Sequence, residues 1–275
     1  MTSRVLSKAE SLLEQAAAGP AVLGLDTGVS PASLALVMNG RIAGAVSRAS
    51  TAHGAALADA VDELLATAGI TLGDLGAVAV GIGPGSFTGL RIGVSYAKGI
   101  AFAARCAILG IPSLDAVALA ALEDPGARSG MTVCPILDAR KGEVYTALYR
   151  IVPDGLEKLS QDLVMPLARL ISKLAEPGQG AILAGDTKAN DAAALLQKKG
   201  VEVTVQGSRI LETRGRYIAA LGAARAARGE SDCLDTFEPL YVRPPQAEAA
   251  RAADASEAIT EGVWSAERKN SFGSI

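Results

Sequence analysis

Histidine is nearly absent from the sequence: His53 is the single histidine in 275 residues. A metal site built from several histidines is therefore excluded, and any Ser-His-Asp set would have to use His53 itself. Nothing in the sequence places a nucleophile or a carboxylate beside it, so we interpret His53 as a capping or packing residue. The sequence thus predicts no metal site and no catalytic residue of this kind.

Cysteines, aromatic residues and long apolar runs are also scarce. The three cysteines, Cys106, Cys134 and Cys233, form no paired motif, which is typical of reduced thiols, and we expect a cytoplasmic protein. Aromatic residues make up 4% of the chain, so Ala, Val, Leu and Gly must build the core. No uncharged apolar run approaches about 18 residues, and we expect no transmembrane helix.

A strong excess of positive charge is missing as well. The formal net charge is −3, and no stretch is rich in Lys and Arg. Avid, sequence-independent binding of nucleic acid needs such a basic surface, because the phosphate backbone supplies most of the attraction. We therefore expect any contact with nucleic acid to use the basic surface of a partner.

The most distinctive stretch that is present runs from Ala77 to Arg105. An apolar strand-like run ends at Ile82, a turn with three glycines and one proline covers residues 83–89, and a helical pattern follows to Ala104. Strand, glycine loop and helix together can present backbone N–H groups and a positive helix end to an anion. The same layout can also turn the chain sharply without any ligand.

Two familiar phosphate-binding motifs do not fit this loop. A nucleoside-triphosphate P-loop needs a lysine directly after its last glycine, whereas the first lysine after this loop is Lys98. A dinucleotide fingerprint needs a third glycine where this chain has Ser86, and an acid at the end of the next strand, which ends in Leu109-Gly110. An anion site at this loop therefore remains a secondary hypothesis.

The helix after the loop carries two apolar faces. Gly89, Gly93 and Ala97 lie four residues apart on one face, where they would let another element approach closely. Ile92, Tyr96 and Ile100 form a second, bulkier face. A helix with two apolar faces is either deeply buried or shared with a partner.

The first half of the chain predicts an RNase H-like lobe. Strand patterns cover 21–26, 32–38 and 41–47, and the Asn39-Gly40 turn between the last two is a strong hairpin signal. A helix at 51–69 and the strand and helix of the glycine stretch come next. Three leading strands followed by alternating helices and strands are typical of this lobe.

The pattern partly restarts after a polar loop. Residues 131–137 form an apolar strand that ends at Asp138, as the first strand of the chain ends at Asp26. Helical patterns follow at 191–199 and 213–228. The sequence therefore predicts an α/β, actin-like fold of duplicated RNase H-like lobes, in which the second lobe is a reduced copy.

We divide the chain on this basis into four parts. We expect an N-terminal extension over 1–20 and a first lobe made of 21–112 together with 212–230. The second, degenerate lobe covers 113–211. An extended C-terminal segment and a disordered tail make up 231–275.

The acids leave two interpretations open. A two-metal RNase H nuclease needs a carboxylate on its fourth strand, and the strand at 77–83 has none, so nuclease activity is disfavoured. Asp26 and Asp138 either face a nucleotide across the cleft, as in kinases of the duplicated fold, or only cap strand ends. The candidate anion or nucleotide contacts are Asp26, Thr27, Gly83, Gly85, Ser86 and Asp138.

Several segments together resemble one family. The run GIGPGSFTGLRIGVSYAKGIAFA, from Gly81 to Ala103, is similar to the hallmark of the bacterial TsaB (YeaZ) proteins. Similar segments follow in order elsewhere: LGLDT at 23–27, GIPSL at 110–114, LDARKGEVY at 137–145 and EPLYVR at 238–243. The resemblance spans about residues 21–243.

The resemblance implies a non-catalytic subunit of the machinery that makes N6-threonylcarbamoyladenosine in tRNA. Such subunits pair with a catalytic TsaD paralogue, act with a TsaE-like ATPase, contact tRNA through the complex and can form homodimers in isolation. It implies no cofactor for this chain, whereas the partner complex would use ATP and a divalent metal. TsaD-like chains carry a metal-binding His-x-x-x-His, which the single His53 cannot supply.

The resemblance also implies that first-lobe helices form the pairing surface. Carried over, this surface comprises the helices at 51–69 and 88–105, with Leu57, Val61, Leu64, Gly89, Ile92, Gly93, Tyr96, Ala97 and Ile100.

Two departures from the family concern the start of the first lobe. Gly28 follows Asp-Thr where the family usually has Ser, which removes a hydroxyl that could contact phosphate, and Gly54 stands where the family has Ser after His. The alternative to the subunit hypothesis is an actin-like enzyme that acts alone, either an ATP-dependent kinase or a glycopeptidase.

Overall fold

The computed structural model describes residues 12–14, 16–49, 54–153, 155–175 and 180–242. His53, most of the expected N-terminal extension and the expected disordered tail lie outside these ranges. Residues 12–14 are helical, and Leu13 is buried against the first lobe. The segment before Ala21 is therefore packed against the first lobe at Leu13.

The first lobe contains five strands, three α-helices and one short 3-10 helix (Leu72–Asp74) among the described residues. The strands are β1 (Ala21–Asp26), β2 (Ala32–Met38), β3 (Arg41–Arg48), β4 (Leu75–Gly83) and β5 (Ala107–Pro112), and the helices are α1 (Gly54–Ala68), α2 (Phe87–Ala104) and α3 (Ser113–Ala121). The sheet order is β3-β2-β1-β4-β5. Strand β2 is antiparallel to both β1 and β3, whereas β1, β4 and β5 are parallel to one another.

The predicted hairpin between β2 and β3 is present. Asn39 and Gly40 both have positive φ, at 50° and 67°, as a tight two-residue turn of this kind requires. Gly40 also lies against the N-terminal segment, since a Cβ there would be 2.8 Å from the Leu13 carbonyl oxygen.

The second lobe repeats the same strand order. Its strands are β6 (Thr132–Arg140), β7 (Glu143–Thr146), β8 (Tyr149–Val152), β9 (Gly155–Lys158), β10 (Leu163–Pro166), β11 (Ala181–Gly185) and β12 (Val203–Gln206), and its helices are α4 (Leu167–Leu174) and α5 (Thr187–Gln197). The last helix, α6 (Arg209–Ala227), follows them. The order β10-β7-β6-β11-β12 matches that of the first lobe strand for strand, and most strands are shorter. The β8–β9 hairpin is an addition that pairs with β6. The duplicated, actin-like architecture is confirmed.

The last helix, α6, packs against the first lobe rather than the second. It lies on β1, β2 and β4, while α3 lies against β6, β11 and α6. One apolar cluster fills this central layer, a second lies between the first sheet and α1 and α2, and a third lies under α4 and α5. No helix in the described ranges is long and apolar enough to cross a membrane.

Small residues set the distance between α6 and the first sheet. A Cβ on Gly222 would lie 2.3 Å from the Cβ of Ala79 on β4, so no larger residue fits there without displacement. On α2, by contrast, a Cβ on Gly99 would meet no atom within 4 Å. Gly222 and Gly99 both lie within a helix, but only Gly222 is closely packed against another element.

We expect Gly222→Ala to lower the free energy of unfolding by about 1–3 kcal/mol, because it overpacks the contact between α6 and β4. Gly99→Ala should raise it by about 0.5–1 kcal/mol, because alanine has the higher helix propensity. Urea unfolding followed by circular dichroism measures both. Equal stability of the two variants would contradict the close packing of α6 on the sheet.

The cysteines differ in their surroundings. Complete burial raises the pKa of the Cys134 thiol to about 12, although a hydrogen bond with Thr146 offsets part of this rise. The exposed Cys233 has a lowered pKa, because hydrogen bonds from the backbone and hydroxyl of Thr236 stabilise its thiolate.

We predict that iodoacetamide near neutral pH modifies Cys233 first and leaves Cys134 unmodified until the protein unfolds, since the thiolate is the reactive form. Mass spectrometry of the peptides over time measures the order. Early modification of Cys134 in the folded protein would show that the second-lobe core is open.

Candidate functional site

The glycine loop packs directly on the loop that follows β1. The Ser86 N–H donates to the Gly28 carbonyl oxygen at 2.6 Å, and the Thr27 hydroxyl donates to the Gly89 carbonyl oxygen at 2.7 Å. Ser86 also caps α2, because its hydroxyl accepts from the Gly89 N–H at 3.4 Å. The first turn of α2 is therefore bonded to the end of β1.

The glycines are required by this contact. A Cβ on Gly85 would lie 2.5 Å from the Gly28 carbonyl oxygen, and one on Gly89 would lie 2.2 Å from the Thr27 carbonyl oxygen. On the next turn, a Cβ on Gly93 would lie 2.2 Å from the Thr27 hydroxyl oxygen. These glycines thus accommodate the backbone of residues 27–28 and the side chain of Thr27.

Asp26, at the end of β1, is paired with an arginine from α6. Asp26 and Arg214 are both fully buried, and the Arg214 Nε lies 3.1 Å from Asp26 Oδ2. The Nε–H is not aligned for a hydrogen bond with the carboxylate, so the contact is an ion contact. Asp26 Oδ1 accepts from the Gly28 N–H at 2.8 Å. Asp26 Oδ1 thus has a hydrogen bond from the protein itself, and Oδ2 lies buried beside the guanidinium.

This arrangement counts against the hypothesis that Asp26 faces a nucleotide. A magnesium nucleotide, the ligand typical of catalytic actin-like folds, would need an accessible carboxylate at this position. The carboxylate of Asp26 has no accessible oxygen and already has a cationic partner. Asp26 therefore does not fit the role of a metal or nucleotide ligand, and it closes the end of its strand instead.

A cleft of about 630 Å³ separates the two lobes on this side. Its walls include Thr27, Ser30, Gly85, Ser86 and Phe87 from the first lobe, and Asp138, Arg140, Tyr145, Asp186 and Thr187 from the second. Both α2 and α5 begin at the cleft. Of the six predicted anion contacts, Thr27, Gly85, Ser86 and Asp138 line this cleft, whereas Asp26 and Gly83 are not among its lining residues.

Asp138 occupies the cleft wall of the second lobe. Its Oδ1 accepts from the Arg140 N–H at 2.9 Å, and its own N–H donates to Asp186 Oδ2 at 2.6 Å. Asp186 also caps α5 by accepting from the Lys188 N–H. Burial raises the pKa of Asp186, while the N–H groups of Asp138 and Lys188 partly offset the rise.

Asp186 and Arg140 were not recognised from the sequence as cleft residues. Asp186 comes directly after the apolar run of β11, and this position is the signal that could have identified it. Within the described residues, no three His, Cys, Asp or Glu side chains are grouped closely enough to hold a metal ion.

The expected partner surface is buried for seven of its nine residues. Leu57, Val61, Leu64, Gly89, Gly93, Ala97 and Ile100 all face the core of their own lobe. Ile92 and Tyr96 alone in this set keep partial exposure. Most of the α2 side chosen from the sequence thus packs on the sheet, and the fully exposed residues of α2 lie on the opposite side.

The exposed side of α2, here called the outer face, consists of Arg91, Ser95, Gly99, Phe102 and Ala103. Phe102 is 77% exposed, the highest value for a large apolar side chain in the described ranges. The neighbouring helix α1 exposes Asp59 and Asp62. Burial raises the pKa of Tyr96, and the nearby carboxylates of Asp62 and Asp59 raise it further.

The C-terminal segment 231–242 lies along the same helix. The Leu240 N–H donates to the Ile82 carbonyl oxygen at 2.8 Å, and Lys98 Nζ donates to the Phe237 carbonyl oxygen at 3.2 Å. The Tyr241 and Phe87 rings lie 5.4 Å apart, and the Arg91 guanidinium lies 4.0 Å from the centre of the Phe87 ring. This segment therefore continues the outer face towards the cleft.

Known proteins similar to this chain agree with the architecture. The family model described as "TsaD: tRNA N6-adenosine threonylcarbamoyltransferase" matches residues 46–251. A TsaB protein of Escherichia coli is 36% identical over 135 residues, which are 49% of this chain and 57% of that protein. The chain thus spans little more than half the length of this curated relative. A TsaB protein of Bacillus subtilis is 28% identical over 83% of this chain and 96% of its own length.

Solved structures give the same result. A structure of YeaZ from Pseudomonas aeruginosa has a TM-score of 0.67 and 27% identity, and it covers 81% of this chain and 99% of its own. A second Pseudomonas aeruginosa structure, described as similar to peptidase YeaZ, has a TM-score of 0.66 and 26% identity over 82% and 100% of the two chains. The chain belongs to the TsaD family, and its resemblance to the TsaB (YeaZ) proteins is confirmed.

Proposed function

We propose that this chain is a non-catalytic subunit in the biosynthesis of N6-threonylcarbamoyladenosine in tRNA, and that it pairs with a TsaD-like catalytic paralogue. The names of its relatives and the family model support the process. The observation that carries the pairing is the outer face of α2, where Phe102 is 77% exposed beside the small residues Ser95 and Gly99.

The outer face has the chemistry of a helix-packing surface. Gly99 leaves open space above the helix, so a partner helix can approach closely, and Phe102 offers an apolar anchor. Asp59 and Asp62 are exposed on α1 near Tyr96 of α2, so a partner that also covers this region should present basic or hydrogen-bond donor residues there. A second copy of this chain could use the same face, which supports a homodimer in isolation.

The site chemistry supports a subunit without catalysis of its own. Asp26 is neutralised by Arg214 and inaccessible, and the single histidine of the sequence cannot supply a His-x-x-x-His metal site. We therefore propose that this chain binds no cofactor. ATP and a divalent metal would be used by the catalytic partner and a TsaE-like ATPase, and tRNA would contact the complex rather than this acidic chain.

A stand-alone actin-like enzyme, either an ATP-dependent kinase or a glycopeptidase, is the second candidate. The observation in its favour is the cleft itself, because α2 and α5 both begin at its walls and Asp138 and Arg140 line it. Helix N-termini attract anions. The buried state of Asp26 counts against a metal-dependent phosphoryl transfer.

We expect Phe102→Asp to weaken the binding of the TsaD-like paralogue by at least ~30-fold, since burying a charge at an apolar anchor costs about 2 kcal/mol or more. Leu195→Asp is the matched control, because Leu195 is 42% exposed on α5 of the other lobe. Isothermal titration calorimetry measures both affinities, and thermal melting checks the fold. Equal affinities for the two variants would refute the outer face as the pairing surface.

We also expect the purified chain to turn over neither ATP nor a glycoprotein. A coupled phosphate-release assay and a glycoprotein cleavage assay measure this, with Asp138→Asn as the comparison. Turnover well above background that Asp138→Asn abolishes would establish the enzyme hypothesis in place of the subunit hypothesis.

A further inference from the structure

The loop of residues 26–31, here called the β1 loop, lies between two elements that are far from it in sequence. On one side it contacts Arg214 of α6, and on the other it contacts the start of α2. The pairing proposed above uses α2. The contacts that hold the β1 loop in place therefore also affect the position of the first turn of α2.

Arg214 bonds to the backbone of the β1 loop as well as to Asp26. Its Nη2 donates to the carbonyl oxygens of Asp26 at 3.2 Å, Pro31 at 2.9 Å and Val29. Its Nη1 donates to the Leu211 carbonyl oxygen at 2.6 Å, which fixes the guanidinium to its own helix. The Arg214 side chain thus donates hydrogen bonds to three carbonyl groups of the β1 loop.

The buried ion pair of Asp26 and Arg214 contributes little net stability by itself. Removing two charges from water costs several kcal/mol, and their attraction in the interior does little more than offset that cost. The planar guanidinium, however, has five donors in a fixed arrangement. A lysine side chain is one bond shorter and has one nitrogen with three donors, so it could not bond to the three loop carbonyl groups and to Leu211 together. The structural result of the pair is therefore a defined conformation of the β1 loop.

The other side of the loop supports α2. Thr27 and Gly28 bond to Gly89 and Ser86, as described above, and the glycines leave no space for either element to shift. The neighbouring strand β2 is tied to α6 in the same region, since the Ser33 hydroxyl donates to the Glu212 carbonyl oxygen at 2.7 Å. Contacts therefore run without a break from α6 through the β1 loop to α2.

From these contacts we infer that Arg214 is a positioning residue for partner binding: it holds the β1 loop as the support on which α2 begins. The inference rests on the proposed function, because it concerns the helix that is proposed to bind the paralogue. Arg214 itself contacts no partner, since its side chain is fully buried. It acts through Thr27 and Gly28.

Hydrogen exchange on the wild-type chain gives the first test. The amides of Ser86 and Leu90 donate to the Gly28 and Ser86 carbonyl oxygens, so we expect peptides covering 84–90 to exchange more slowly than an unstructured loop of the same sequence. Exchange of these peptides at the rate of an unstructured loop would overturn the inference without any variant.

Variants give the second test. Arg214→Met combined with Asp26→Asn removes both charges and the carbonyl contacts together, so that no uncompensated charge remains buried. We expect this double variant to fold, to exchange faster by about tenfold at 84–90, and to bind the paralogue about tenfold more weakly. Arg214→Lys should show the same local change, because it keeps the charge but loses the fork of donors.

A merely structural role would predict a different pattern, with faster exchange throughout the protein, including α5 in the second lobe. We expect α5 to be unaffected. The inference would be overturned if the double variant or Arg214→Lys kept wild-type exchange at 84–90 and wild-type affinity. Failure of the proposed function is distinguishable, because the wild-type chain itself would then not bind the paralogue.

Discussion

The close contact between the end of β1 and the start of α2 is the constraint on which the functional part of this structure depends. Gly85 and Gly89 have no space for a side chain because the backbone of Thr27 and Gly28 occupies it, and the Thr27 side chain fills the space beside Gly93. The same loop is held from behind by Arg214. The glycine-rich stretch is therefore explained by packing, and its direct result is a fixed starting point for a helix with an exposed outer face.

Most of the fold could be predicted from the strand pattern and the glycine stretch of the sequence. The Asn39-Gly40 hairpin and the restart near Met131 were sufficient to predict duplicated lobes, because alternating patterns and turn residues act locally. Asp138 was expected to end its strand, but β6 continues to Arg140. The start of α5 was misjudged: the helical pattern suggested Asp191, but Asp186 caps the helix at Thr187. A charged residue between two apolar segments does not by itself reveal that it is a cap.

The site could not be predicted to the same depth. Both faces of α2 carry apolar or small residues, so the sequence could not tell which face meets the protein's own sheet, and the face assigned to the partner proved to be internal. Arg214 gave no local signal either, because its partner Asp26 is 188 residues away and arginines are common on exposed helices. Long-range pairs of this kind are visible only in the folded chain.

The central claim is that a catalytic paralogue covers the outer face of α2. Hydroxyl-radical footprinting of the chain, alone and mixed with the TsaD-like protein, tests it directly, since Phe102 and Leu195 are both exposed in the free chain. We predict that the complex protects Phe102 from modification and leaves Leu195 unchanged. A stable complex in which Phe102 is modified as fast as in the free chain would contradict the claim.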